Sequence, residues 1–453
     1  MTAISQILAT AIFLAMFAAI ASGKTHRYIP ALIGAALTIT VVFLLIMKSP
    51  ASALNVLNLN QLRELEFWLP GEEQIKSHGV NWQTIIFIGG MMVLVEGLSR
   101  VGFFRWICFH VARMVNYRVL PILVTFMILS GFLAMFIDSI TVLLFLASVT
   151  IELARLLKFD PVPMIIAEIF AANTGGSATM CGDPPNIIIG TAFGYTFTDF
   201  AINTGPIAWA GMALSVIYFY ICTRRTIATQ PATRLLPPNE YPQPSEAVTN
   251  PRLFWLLTVI FVLVVLLLIT HAETGLSVAS IGVIAAVLTL LVSWKDSALI
   301  LQRLDWRTLL FFIGLFVCVG GLEETGVLGI LANYIGEISG GKLIIMIAII
   351  LWVSAFASAI VDNIPFAATM VPVISHLAHT HSIDLSTLSW TLAIGADIGG
   401  NATPIGASAN VVGTAIAERE GYPIKWGRFL KYALPATIAV IALSHLLLIL
   451  RYT

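Results

Sequence analysis

The sequence predicts an all-α polytopic membrane protein made of two inverted-topology repeats, each holding a re-entrant hairpin and a broken transmembrane helix. Three observations predict it. Hydrophobic residues make up 58% of the 453 and charged residues only 11%, with a mean hydropathy of +0.93. A chain of that composition is read as many hydrocarbon-length helices rather than one large water-soluble core. Next, Asn173–Asn186 (NTGGSATMCGDPPN) interrupts an apolar run. Gly175 and Gly176 favour unwinding there, and Asp183-Pro184-Pro185 reads as a helix start with Asp as N-cap. Finally, that stretch recurs. Raising each number by 224 gives Asp397–Asn410 (DIGGNATPIGASAN), identical at six of fourteen positions. The same offset lays Trp82–Gly102 on Trp306–Gly326 with nine of twenty-one identities, and Asp138 on Asp362. Three stretches in one register indicate an internal duplication.

The composition also excludes. A formal net charge of zero offers nothing to a nucleic acid. Cys108, Cys181, Cys222 and Cys318 lie in apolar or near-membrane stretches with no zinc or disulfide spacing. They read as small buried residues, and only Cys181 falls inside a break. There is no nucleophile–base pair and no metal motif, so an enzyme is not expected and no cofactor is implied. No ATP-binding motif is present, which leaves a separate ATPase subunit open as a partner.

Taken in order, Ile4–Ala21 has no basic residue before it and is read as a retained helix rather than a signal peptide. Tyr28–Met47 is the second span. Residues 48–81 are polar, with a short interfacial helix expected within LNQLRELEFWLP. Trp82–Leu98 is the third span. Arg100–Arg118 interleaves four Arg with Phe103, Phe104, Trp106 and Phe109, the pattern of a helix lying on the membrane surface. Leu120–Leu157 reads as a re-entrant hairpin of two short apolar arms with Asp138-Ser139-Ile140-Thr141 at its tip; two full crossings are the alternative, since both leave the chain on the same side. The broken span Val162–Phe193 and the span Pro206–Ile221 complete a first repeat, 1–222. A cytoplasmic linker is expected over 223–251. The second repeat, 252–453, has spans at Arg252–Thr270, Leu276–Ser293 and Trp306–Leu322, then a surface helix at Val327–Ser339. A hairpin over Leu343–His376, tipped by Asp362-Asn363-Ile364-Pro365, precedes the broken span Thr387–Ile416 and the last span, Leu430–Leu450.

Basic residues set the orientation. With the loop after the first span in the cytoplasm, 19 of the 24 Lys and Arg fall on that side. This supports ten crossings plus two hairpins, with both termini outside. Five crossings separate a residue from its mate 224 later, so the repeats are inverted.

The hairpin tips and breaks are expected to meet near the bilayer midplane. That would bring Asp138, Ser139 and Thr141 to Asn173, Gly175, Gly176, Ser177 and Thr179. From the other half would come Asp362, Asn363, Asp397, Gly399, Gly400, Asn401 and Thr403. Four half-helix N-termini offer unpaired N–H groups to an anion or polar oxygen. Carboxylates, amides and hydroxyls suit protons or Na⁺ as coupling ion. An intramembrane Asp is costly and marks function by default. Asp397 stands out because its mate is neutral Asn173. Asp138 and Asp362 serve equally well as tip caps, and all three are candidates for proton coupling. Asp183 reads as an N-cap, and Asn186 and Asn410 as braces. Glu168 could line a proton path or pair with a neighbour.

GGSATMCGDPPNIIIG, SAIVDNIPFAATMVPVI and GADIGGNATPIGASANVVG together resemble the ion-transporter superfamily, most of all the arsenite-pump (ArsB) and pink-eyed-dilution P-protein permeases. The resemblance covers nearly the whole chain. It implies an inverted-repeat carrier, often a homodimer, with a scaffold and a moving transport part in an elevator-like mechanism. The Ser-Asn-Thr motifs of dicarboxylate carriers are not intact here. Their places hold Ser177-Ala178-Thr179 and Asn401-Ala402-Thr403, besides the two hairpin tetrads. The resemblance therefore leads to arsenite or antimonite efflux by proton antiport across the plasma membrane. Na⁺(Li⁺)/H⁺ antiport is the alternative. Organic-anion (di- or tricarboxylate) carriage comes third, because a cationic residue in the site would favour it and none is found there.

Overall fold

The computed structural model describes residues 3–22, 24–69, 79–228 and 241–453, and regular structure among them is helical throughout. The chain opens with α1 (Ala3–Ala21) and α2 (Tyr28–Leu37). α2 runs on into π-helical turns over Thr38–Ile46, where a plain span was expected. Five β-branched residues in a row, Thr38–Val42, are poor α-helix formers. The polar connector carries α3 (Pro50–Leu57) and α4 (Leu65–Trp68). There follow α5 (Trp82–Arg100), α6 (Phe103–Met114), α7 (Val119–Ala134), α8 (Ser139–Leu157), α9 (Val162–Gly176), α10 (Pro184–Phe193), α11 (Phe197–Asn203) and α12 (Gly205–Ala228). The second half has α13 (Pro251–Ile269), α14 (His271–Thr274), α15 (Val278–Val292), α16 (Ser297–Arg303), α17 (Trp306–Glu324) and α18 (Val327–Ser339). It ends with α19 (Leu343–Ile360), α20 (Asn363–His381), α21 (Leu385–Gly399), α22 (Ser408–Arg419) and α23 (Trp426–Tyr452). Among the described residues, nine helices are long and apolar enough to cross a membrane.

The 224-residue register holds in three dimensions. α5 and α17 begin at Trp82 and Trp306, each after a side-chain N-cap, Asn81 to the Thr84 N–H and Asp305 to the Thr308 N–H. Left-handed residues recur at Gly102 and Gly326, and at Lys158 and Ser382. Before Trp82 the register fails, because the connector from α2 to α5 is longer than that from α15 to α17. Packing is reciprocal: α2 lies on α17 and α15 on α5, while α8 lies on α22 and α20 on α10. Such an exchange of partners is what a two-fold relation between halves produces.

Two expectations need correction. One arm of each hairpin is longer than expected: α8 and α19 are long and apolar enough to span, while α7 is a shorter apolar helix. Helix α12 also runs on to Ala228, past the candidate span that ends at Arg224, so the first residues of the expected linker are helical. Residues 229–240 lie outside the described part. Beyond them the chain docks on the surface helix region, with the Tyr117 hydroxyl donating to the Pro242 carbonyl at 2.5 Å and its ring stacked 4.5 Å from Tyr241.

Candidate functional site

Each break is built the same way. α9 ends at Gly176 and α10 starts at Pro184, while α21 ends at Gly399 and α22 starts at Ser408. The carbonyls left unpaired at the broken ends need donors. Asn186 Nδ2 donates to the Gly176 and Thr179 carbonyls at 3.2 and 3.0 Å. Asn410 does the same for Gly400 and Thr403, at 2.8 and 2.7 Å. Thr179 and Thr403 donate to the hairpin carbonyls of Met135 and Ala359, both at 2.5 Å. Those two hydroxyls, and that of Ser177, which donates to the Thr174 carbonyl, give their protons to backbone. The glycines have a packing role. A Cβ on Gly175 would sit 2.3 Å from the Gly131 Cα, and one on Gly399 2.3 Å from the Ala355 Cα, so hairpin and broken helix approach as small-residue helix pairs do.

Asp183 holds the N-cap position of α10 with prolines opening the helix, as the sequence indicated, but its side chain does not do a cap's work. Pro184 and Pro185 have no N–H to give, and the Asn186 N–H goes to the Asp183 backbone carbonyl. The freed carboxylate accepts from Ser139 Oγ at 3.1 Å and Asn363 Nδ2 at 2.8 Å. Ser139 and Asn363 are symmetry mates at the two hairpin tips, so Asp183 ties both tips to one break. Asp397, fully buried, interacts electrostatically with Asp183 and lies beside Asn186. Neither of its carboxylate oxygens has a hydrogen-bond partner, and the amide oxygens of Asn173 and Asn186 are also unpartnered. Asn173 Nδ2 donates across the halves to Asn401 and Asn410, at 2.9 and 2.8 Å.

The hairpin tips differ. Asp138 caps its own helix, accepting from the Ile140 N–H at 2.9 Å and from Thr141 Oγ1 at 2.6 Å. Asp362 caps Ile364 but also receives Arg27 Nη1 at 3.0 Å and Ser408 Oγ at 2.8 Å. Arg27 donates further to Ser408 at 2.6 Å and Thr308 at 2.9 Å, and lies 5.0 Å from the Phe311 ring centre. Sequence reasoning missed this residue, counting it only as a basic loop residue. No sequence signal ties it to Asp362, 335 positions on, yet it supplies the cation held to be missing. Arg27, Asp138, Cys181, Thr308 and Ile364 line one cavity of about 40 Å³, room for a few waters.

A family model described as citrate transporter (CitMHS) matches residues 12–395. The chain is 32% identical over 453 residues to a 46 kDa membrane protein of Mycobacterium leprae, covering 99% of each. It is 35% identical over 380 residues to an uncharacterized transporter of Mycobacterium tuberculosis, covering 83% of this chain and 87% of that one. Human P protein is 29% identical over 456 residues, covering 81% of this chain and 54% of P protein. In structure the chain is similar to the YdaH transporter of Alcanivorax borkumensis, with a TM-score of 0.57 at 14% identity, covering 98% and 97%. It is also similar to MtrF of Neisseria gonorrhoeae, described with a class of antimetabolite efflux pumps, with a TM-score of 0.53 at 12% identity, covering 97% and 94%. These two likenesses concern the fold.

Proposed function

Because the chain belongs to the CitMHS citrate-transporter family, and is therefore a multi-pass membrane transporter rather than an enzyme, we propose that the Asp183–Asp397 pair is its ion-coupling centre. One observation carries this reading: two buried carboxylates from opposite breaks stand together, and both oxygens of Asp397 are unpartnered. Two uncompensated charges in a dry interior cost several kcal/mol each, so the pair needs a proton or a small cation. Asp183 also holds both hairpin tips through Ser139 and Asn363. Loading the pair therefore changes what anchors the tips, which links ion occupancy to access. Residues 1–222 and 252–453 act in this reading as inverted halves of an elevator-type carrier of the plasma membrane, both termini outside.

For the solute, the leading reading is arsenite or antimonite leaving against proton entry. A neutral trihydroxide suits a small cavity that offers the Cys181 thiol, the Thr308 hydroxyl and Asp138, and a single thiol holds a soft metalloid without trapping it. A second reading, an organic carboxylate, is favoured by Arg27 at the same cavity and by the family's description. Flux into proteoliposomes under an imposed pH gradient separates them, with arsenite and citrate as the probes. Proton-driven arsenite movement supports the first, citrate movement the second. Movement of Na⁺ or Li⁺ alone would replace both with cation/proton exchange. Full proton-driven transport by Asp397→Asn would sink the coupling assignment.

A further inference from the structure

One buried acid is left over once the breaks and tips are assigned. Glu168 lies on α9 and is fully buried. Thr150 of α8 donates its hydroxyl to one carboxylate oxygen, and the other oxygen has no partner. The Ser130 hydroxyl of α7 goes to the Glu168 backbone carbonyl at 2.8 Å and leaves the side chain alone. Among the described residues, no cation answers the carboxylate. α7 carries no ionisable residue. On α8, Glu152 and Arg155 are engaged at the surface with Arg105 and Glu420. On α22, Glu418 and Arg419 are exposed. On α21, Asp397 interacts with Asp183, and Arg428 of α23 pairs with Asp160. α12 brings Tyr218 and Cys222, both partly exposed, and the exposed Tyr220 and Arg224, while α23 also carries Lys431, Tyr432 and His445; none of these acts on the Glu168 carboxyl. Among the described residues, the ionisable group that interacts with Glu168 is the buried thiol of Cys108 on α6.

The frame does not require this acid. Its mate 224 residues on is Leu392, a fully buried apolar residue in the matching helix. A carboxylate placed where the other half has leucine, with one oxygen unused, costs stability and asks for a role. The site is poor in ligands for a metal ion, which takes about six oxygens. Glu168 and Thr150 supply three, so the ligand that fits is a proton.

We propose that Glu168 is a second proton-binding site, separate from the Asp183–Asp397 pair, that loads and discharges within the α8–α9 body during transport. The proposal deepens the proton-coupled reading, and its primary test does not rely on solute flux. Infrared titration of the purified full-length protein in lipid should show a buried carboxylic-acid C=O band that fades as pH rises. The band should vanish in Glu168→Gln and persist in Asp397→Asn. In vesicles, with arsenite as the probe, Glu168→Gln should flatten the pH profile of flux and move about one proton fewer per solute. Glu168→Leu, which copies the other half, should fold and behave like Glu168→Gln. A spectrum unchanged in Glu168→Gln, or a band that persists at every pH where the protein stays folded, would overturn the assignment. So would Glu168→Leu with a wild-type pH profile, which would make the side chain mere packing. If instead Asp397→Asn retains coupled flux while the Glu168 band titrates, the paired-carboxylate reading fails and this one stands.

Discussion

The two halves share a frame and differ in charge. Bracing amides, hairpin-to-break hydroxyls and close helix pairs recur at the 224-residue spacing with matching partners. At other matched positions the chemistry is one-sided. Asp183 stands opposite Ala407, Asp397 opposite Asn173, and Glu168 opposite Leu392. The tip acids match, yet Asp362 is held by Arg27 whereas Asp138, among the described residues, caps its own helix and makes no ion pair. Duplication supplies a scaffold that must satisfy its backbone twice. Coupled transport needs charges that are moved once per cycle, and a charge copied into both halves would double the desolvation cost.

The strongest way to break that comparison is at the one-sided acids. Asp183→Asn and Asp397→Asn should each cut pH-gradient-driven flux by about 100-fold, while Ala407→Ser, at the mate of Asp183, should leave it nearly unchanged. Equal losses at both would mean that position, not charge, matters. The tips come next. Arg27→Met strands the Asp362 carboxylate and should cost about 3 kcal/mol in thermal unfolding, largely recovered by Arg27→Met with Asp362→Asn. Asp138→Asn at the unlatched tip should cost about 1 kcal/mol, the worth of a cap. The frame predicts near-parity: Asn186→Ala and Asn410→Ala each strand two carbonyls and should each destabilise by roughly 1–3 kcal/mol, Asn410→Ala slightly the more because it also removes an acceptor of Asn173 Nδ2. A large inequality would show that one break bears function beyond bracing.

The smallest effect lies at the ends of the broken helices. Asp160 and Asp384 are mates that cap α9 and α21. Asp160 spends its other oxygen on Arg428, whereas Asp384 accepts from Ser386 and Thr387. Desolvation alone would raise the Asp384 carboxyl, but those bonds outweigh it and hold the group below its ordinary value. A depressed folded-state value means stability present above the unfolded value and lost as pH falls through the folded one. Amide exchange at the start of α21 should therefore quicken in acid, and Asp384→Asn should remove that dependence.

Much of this was legible because it is periodic or local. The 224 spacing named both breaks, both tips and the mates. Gly-Gly before Pro-Pro foretold where α9 would stop and α10 begin, since backbone preference acts over a few residues. The amphipathic surface helix α6 followed from its own sequence. Asp183 was placed correctly at the N-cap position, but its side chain was misjudged for a local reason as well: two prolines remove N–H groups that a cap uses. That inference was available from the same dipeptide that marked the helix start.

By itself the sequence determined that the chain is a multi-pass membrane protein, that it repeats itself at a 224-residue spacing, where its helices break, and which acids fall within the apolar segments. Hydropathy, propensity and repetition are properties of neighbours along the chain. Only the tertiary structure decided that Arg27 meets Asp362, that Asp183 gathers both hairpin tips beside Asp397, and that Glu168 has Thr150 and no cation. Those outcomes depend on which surfaces pack across hundreds of residues. A charge in a low-dielectric interior takes its meaning from its neighbours in space.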